Sequence, residues 1–263
     1  MKRHTALLVL AGLVGLAGTA RADETTFCNF FITTLPYTIA AQGHYCFDRN
    51  LSTAITTGNA ITVAVDFVVI DLNNFKLGGG SAGPTTQAVG IFADNRRNIT
   101  IRNGNIRGFK RGILLRNTLS PTTVAGGHVI ENNVLDGNTY VGVEAYGDLI
   151  VARNNIVANT GGSTVGWSYG IYLGTNGTRP VATARDNVIQ NVFNTVTPGG
   201  TSVGIYAATN VDHNLIRMGT TAGTGSMYGI WSNVCRDNTV LDSSPATKAF
   251  GCTQVGANYT NNP

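Results

Sequence analysis

Charge is scarce in this 263-residue chain: Asp, Glu, Lys and Arg together make 12% of it. After Ala6–Ala17 there is no second long apolar run, so no membrane anchor is expected. That first run is itself too short to span a bilayer. No two cysteines stand in C-x-x-C spacing, which argues against a zinc site. A surplus of one sign is also missing. Lys2, Arg3 and Arg21 lie in the first 22 residues, and without them 15 basic side chains face 14 acidic ones, so the pI of 9.0 says little about partners. Few charges with abundant Gly, Asn and Thr suit an all-β protein rich in turns.

What is present starts with an export signature. Lys2 and Arg3 precede the short apolar run, and Ala20-Arg21-Ala22 puts small residues where a signal peptidase reads. A signal peptide over 1–22 is expected, and a secreted or periplasmic location with it. Cys28, Cys46, Cys235 and Cys252 form two close pairs, one towards each end of the mature chain. Export favours disulfides. Four cysteines allow three pairings; Cys28–Cys46 and Cys235–Cys252 are expected, because each closes a short loop at a terminus.

The middle of the chain repeats. A Gly-Ile-like phrase recurs at Gly90, Gly112, Gly142, Gly170, Gly204 and Gly229, alternating with Asn-Ile-like phrases at Asn105, Asn133, Asn155, Asn187, Asn214 and Asn238. A unit repeated in series is the mark of a stacked architecture. Successive turns of a coil can stack strands in parallel, which tight hairpins cannot. The predicted fold is therefore all-β: a single right-handed parallel β-helix of about seven rungs over residues 61–242. Caps are expected at 23–60 and 243–263, since an open end rung must be covered. The six Asn should form an inward amide ladder. Three residues earlier, Ile130, Ala152, Ala184, Val211 and Cys235 should face the core; two earlier, Glu131, Arg153, Arg185, Asp212 and Arg236 should face solvent. Loops rich in Gly, Thr, Ser or Pro at 118–127, 160–168, 175–180, 197–202 and 220–226 fill the longer intervals.

The run from Ile32-Thr33-Thr34-Leu35-Pro36-Tyr37 through Val69-Ile70-Asp71-Leu72-Asn73 to Ile99-Thr100-Ile101-Arg102-Asn103-Gly104 resembles the opening of secreted right-handed parallel β-helix proteins of the pectin-lyase-like superfamily. The likeness covers nearly the whole mature chain. It implies polysaccharide lyases, hydrolases and epimerases, beside members without known catalysis, and it implies that substrate lies along one parallel sheet. The calcium sites and paired aspartates of that superfamily's pectate lyases and polygalacturonases are not recognisable, so no cofactor is evident and calcium has no recognisable site.

The Gly-Ile strands are the candidate sheet. Counting from each Gly, the second residue faces out: Phe92, Leu114, Glu144, Tyr172, Tyr206 and Trp231. Two further on come Asp94, Arg116, Tyr146, Gly174, Ala208 and Asn233. Tyr172, Tyr206 and Trp231, with Asp94, are candidate substrate-binding residues, because Tyr and Trp offer an apolar face and a polar tip. Arg116, Tyr146 and Glu144 are the candidate catalytic set for β-elimination. Arg116 would neutralise a uronate carboxylate and Tyr146 would act as base or acid. Asp94 and Glu144 lie too far apart for two-carboxylate hydrolysis, so a glycoside hydrolase is the weaker reading. Arg96, Arg97, Arg102, Arg107, Lys110, Arg111 and Arg116 crowd one stretch without an acid between them. That favours an acidic polysaccharide over nucleic acid as the partner of an exported protein. Asp186, His213 and Asp237 occupy one place on three rungs and read first as turn residues. The expectation is a monomeric, exported, carbohydrate-active protein with lyase-like chemistry; the alternative is a non-catalytic surface or envelope module that binds glycan or serves structurally.

Overall fold

The computed structural model describes residues 27–118, 125–163, 166–174, 181–194, 198–220, 225–241 and 247–261. The expected signal peptide lies outside them, as do parts of each expected loop and of the C-terminal segment. Every strand pairing among the described residues is parallel, and the chain winds as a β-helix with three faces. Face 1 runs from Phe30–Ile32 through Val129–Glu131 and Ile150–Arg153 to Ala182–Arg185. Face 2 carries Tyr37–Ile39, Asn59–Val63, Val89–Asp94, Arg111–Arg116, Val141–Tyr146 and Trp167–Gly174. Among the described residues face 3 has nine strands, from Leu51–Ser52 to Tyr259–Asn261. Three long strands, Thr201–Asp212, Met227–Arg236 and Thr247–Val255, run through the corner from face 2 into face 1 and join the two sheets.

The stack is longer than about seven rungs. Strands Phe30–Ile32, Tyr37–Ile39, Gly43–Phe47 and Leu51–Ser52 pair in register with the coils that follow, although their sequence lacks the repeated phrase. Thr247–Val255 and Tyr259–Asn261 likewise continue the stack. Backbone pairing needs no particular side chains, so coils persist where the phrase has faded. Both disulfides form as Cys28–Cys46 and Cys235–Cys252, each tying one coil to the next.

The repeated glycine has a steric cause. A Cβ on Gly170 would lie 2.5 Å from the carbonyl oxygen of Gly204 and 3.0 Å from Ile189 in the core, and Gly90, Gly112, Gly142 and Gly204 stand in the same relation to the next rung. The chain bends inward there, and only glycine admits so close an approach of backbone. The following residues Ile91, Ile113, Val143, Ile171, Ile205 and Ile230 are fully buried.

The interior holds one long polar column. Side-chain amides of Asn133, Asn155, Asn187, Asn214 and Asn238 each donate to the carbonyl oxygen of the next, at 2.9–3.2 Å, and each backbone N–H donates to that same oxygen. The column goes one rung further, because Asn238 donates to Asn258 at 3.0 Å. Asn105 is not in it. The register pairs Asn105 with Val134, one place past the ladder, so Gly104 occupies the ladder position and its N–H donates to Asn133 Oδ1 at 3.2 Å. A side chain at 104 would collide with Leu72, whose atoms lie within 2.8 Å of a Cβ there. The charged column on face 1 aligns as Asp71, which is buried, then Arg102, Glu131, Arg153, Arg185, Asp212 and Arg236, with ion pairs at Arg102–Asp71 (2.8 Å), Arg153–Glu131 (2.6 Å) and Arg236–Asp212 (3.5 Å).

Candidate functional site

Face 2 presents its outward side chains as straight columns. The register aligns Thr62, Phe92, Leu114, Glu144, Tyr172, Tyr206 and Trp231 rung by rung. Asp94 aligns with Arg116, and Tyr146 with Gly174. The lower rungs of this surface are ionic and the upper ones aromatic. Glu144 and Tyr146 stand at the junction.

In the lower part an open cleft of about 490 Å³ is lined by Arg111, Leu114, Arg116, Asn117, Thr118, Glu144 and Tyr146. The three proposed catalytic side chains do meet there, but their partners differ from expectation. Arg116 is bound to Asp94, Nη2 to Oδ2 at 2.8 Å, and its guanidinium covers the Phe92 ring at 5.2 Å. Thr118 donates to the same Asp94 carboxylate at 3.0 Å. Glu144 is nearly buried, at 8% exposure; it accepts from Arg111 at 2.5 Å and from the Tyr146 hydroxyl at 2.9 Å. Burial, then the Glu144 charge, push the Tyr146 phenol well above its ordinary value. Its hydroxyl is engaged as a hydrogen-bond donor to the Glu144 carboxylate.

Above the junction the aromatic rings touch in a continuous surface. Tyr172 and Tyr206 stack with centroids 4.6 Å apart and planes at 13°. Trp231 meets Tyr206 edge-on at 5.9 Å, and Tyr146 lies 5.4 Å from Tyr172. Gly174 makes room for Tyr146, since a Cβ there would lie 2.6 Å from the Tyr146 ring. Counting forward from each glycine misses a further outward column, the residue just before it: Arg111, Val141, Tyr169, Val203 and Tyr228. Tyr169 packs at right angles to Tyr172 at 4.9 Å and stacks on Trp167 at 6.0 Å; Tyr228 lies 5.1 Å from Trp231. Burial raises the phenols of Tyr169, Tyr172 and Tyr140 as well. Trp167 and Trp231, 40% and 39% exposed, flank the tyrosines. A second cleft of about 330 Å³ opens beside Tyr206, Trp231, Asn233 and Thr253.

Among the described residues the basic stretch does not gather on one face. The basic stretch winds around the coil: Arg102 lies on face 1, Arg107 on face 3, and Arg111 and Arg116 on face 2. Five of its seven bases meet a carboxylate, through Arg97–Asp66, Arg102–Asp71, Arg107–Asp136, Arg111–Glu144 and Arg116–Asp94. Acids absent from the local sequence arrive from other rungs. Asp186, His213 and Asp237 all adopt left-handed backbone, with φ of 53–56°, in the place that Asn132 and Asn154 hold on earlier rungs. They are turn residues, and His213 lies 3.7 Å from Asp237 at the surface. Among the described residues no group of three or more His, Cys, Asp or Glu is placed to hold a metal ion.

No family model matches the chain, and no curated protein sequence matches it. Among solved structures, the crystal structure of the Dettilon tailspike protein (gp208) is similar, at 14% identity and a TM-score of 0.34. The match covers 88% of this chain and 60% of the tailspike chain, so the chain spans about three-fifths of that protein's length.

Proposed function

We propose that this protein is an exported glycan-binding β-helix whose face 2 holds a polysaccharide across its aromatic surface. The observation that carries the reading is the unbroken run of rings from Trp167 through Tyr169, Tyr172 and Tyr206 to Trp231. Two stacked tyrosines hide their faces from solvent and offer edges and hydroxyls. The half-exposed indoles at either end offer flat apolar surface. Sugar rings present both an apolar C–H side and a rim of hydroxyls, and a surface mixing the two suits them. The two disulfides fit an oxidising compartment.

The finer expectations fare differently. An acidic polymer needs unpaired cations, and Arg111 and Arg116 are both matched by carboxylates. β-Elimination needs in addition a base beside the reacting carbon, and the Tyr146 hydroxyl is taken up as a donor to Glu144. Binding without chain cleavage to a polymer of low charge is therefore the preferred form of the reading. The test is retention in native gels cast with neutral glucans, xylan and galactomannan, and with pectate and alginate. Retention on at least one neutral polymer, lost in Trp167→Ala/Trp231→Ala with the thermal midpoint kept, is the expected result. Retention unchanged in that variant would sink the aromatic site. Release of ultraviolet-absorbing unsaturated uronides from pectate or alginate would instead establish a lyase.

A further inference from the structure

Face 3 carries an apolar stripe that the glycan reading does not use. The register aligns Val134, Ile156, Val188 and Leu215 on four consecutive rungs, and Thr239 and Tyr259 continue the column. These side chains point away from the core, which is filled by the alternate residues Leu135, Val157, Ile189 and Ile216. Ile156, Val188 and Leu215 are 45%, 38% and 41% exposed, and Tyr259 is 59% exposed. One exposed aliphatic side chain is ordinary, but three in a line, with half-buried Val134 one rung before them, form a continuous surface that marks a contact site.

We propose that this stripe is the interface with a second copy of the chain, paired on a two-fold axis parallel to the coil axis. Two observations select that partner. Rungs repeat about every 4.8 Å, and a second copy offers an apolar stripe of the same length and rise, so each layer meets its own layer. The flanks are also complementary in charge. On the turn side of the stripe stand Asp186, His213 and Asp237, whose carboxylates hold only long, exposed contacts, Asp186 with Arg185 at 3.9 Å and Asp237 with His213 at 3.7 Å; on the other side stands Arg217, which has no ion pair among the described residues. In the parallel arrangement the turn side of one copy faces the far side of the other. Arg217 then lies opposite His213 of its partner, with the partner's Asp186 one rung before and the partner's Asp237 one rung after. An axis perpendicular to the coil would set the turn sides against each other, acid against acid. The aliphatic part of the stripe, from Val134 to Leu215, lacks the rings and hydroxyls of face 2 and suits a protein sheet better than a sugar.

Sedimentation equilibrium on the full mature chain tests this. A dimer is expected, and Ile156→Lys/Val188→Lys/Leu215→Lys should be a monomer with unchanged circular dichroism and unchanged glycan retention. Arg217→Asp should weaken the dimer at least about tenfold, and adding Asp186→Arg and Asp237→Arg to it should restore it. A monomer at every concentration, a trimer, or a dimer that survives the three lysines would overturn the proposal. So would an Arg217→Asp variant with unaltered dimerisation. If the triple lysine variant fails to fold, the charge-swap pair alone decides the matter.

Discussion

Two columns climb the same coil at the same spacing and obey opposite rules. Inside, asparagine follows asparagine for six rungs, from Asn133 to Asn258. Outside on face 2, one column reads Thr62, Phe92, Leu114, Glu144, Tyr172, Tyr206 and Trp231. The inner amide must both give and accept a hydrogen bond along the axis, so the only residue that fits one rung also fits the next. The outer column answers to solvent or a ligand and is free to change at each rung. Repetition therefore marks what the chain needs in order to stack, and variation marks where a function can be written.

The largest loss should come from removing one inner amide. Asn187→Ala would take the acceptor from the N–H of Asn155 and from its side-chain amide, and a donor from the carbonyl of Ala152. Asn187 is 1% exposed, so water does not replace these bonds. Each orphaned buried group costs about 1–3 kcal/mol, and a loss of about 3–4 kcal/mol in urea denaturation is expected. A loss below about 1 kcal/mol would mean that the ladder follows from stacking and does not support it.

His128 is an inner polar group of another kind, buried without a repeat behind it. It is 1% exposed, and its Nδ1 accepts from the N–H of Ile99 at 3.4 Å. Burial lowers its pKa from 6.5 to about 4, against a small opposing pull from Asp66. The unfolded chain takes up the proton first as pH falls. Stability from this group is therefore complete above about pH 6.5, declines between 6.5 and 4, and stays lost below. The decline should be about 3 kcal/mol over that window. Denaturation midpoints followed against pH in the native chain and in His128→Leu should show the slope in the first and a flatter profile in the second. Parallel profiles would assign the slope to other groups.

How much of this was legible follows the same division. The glycine phrase, its buried Ile and five of the six ladder asparagines are visible in the sequence because they recur. Asn105 misled, because Asn105-Ile106 looks like Asn133-Val134. Ile106 is an inward residue aligned with Leu135, whereas Val134 points outward, so the phrase had slipped by one place. Asn258 was hidden by the fading of every other repeated residue around it. The site was less legible than the fold. Its columns follow from counting, but the carboxylate that meets each arginine comes from another rung: Asp94 is 22 residues before Arg116, and Glu144 is 33 after Arg111. A basic run in sequence is thus, for five of its seven members, a set of ion pairs in space.

The end of the ladder offers a smaller effect. Asn258 accepts from the N–H and the side chain of Asn238 but is only partly buried, with no described amide beyond it. Water can replace what is lost, so Asn258→Ala should cost about 1 kcal/mol, near the net value of an ordinary hydrogen bond. A cost equal to that of Asn187→Ala would place the end rung inside the cooperative core.

The smallest effect should come from the outer ionic rungs. Arg116 and Asp94 are 46% and 27% exposed at their side chains, so water already screens the pair. Exposed pairs of this kind contribute about 0–1 kcal/mol, and Arg116→Gln should shift the urea midpoint by less than the Asn258 change. Its larger use is as a reporter on the glycan. With Asp94 matched to it in the free protein, Arg116 has no spare charge for a polymer, and retention on a neutral glycan should be unchanged in Arg116→Gln. If retention on pectate or alginate falls while that on neutral polymers stays, the arginine must leave Asp94 for a ligand carboxylate. The outer column would then be written for an acidic chain after all, with its lower rungs carrying the specificity and its upper rungs only the stacking.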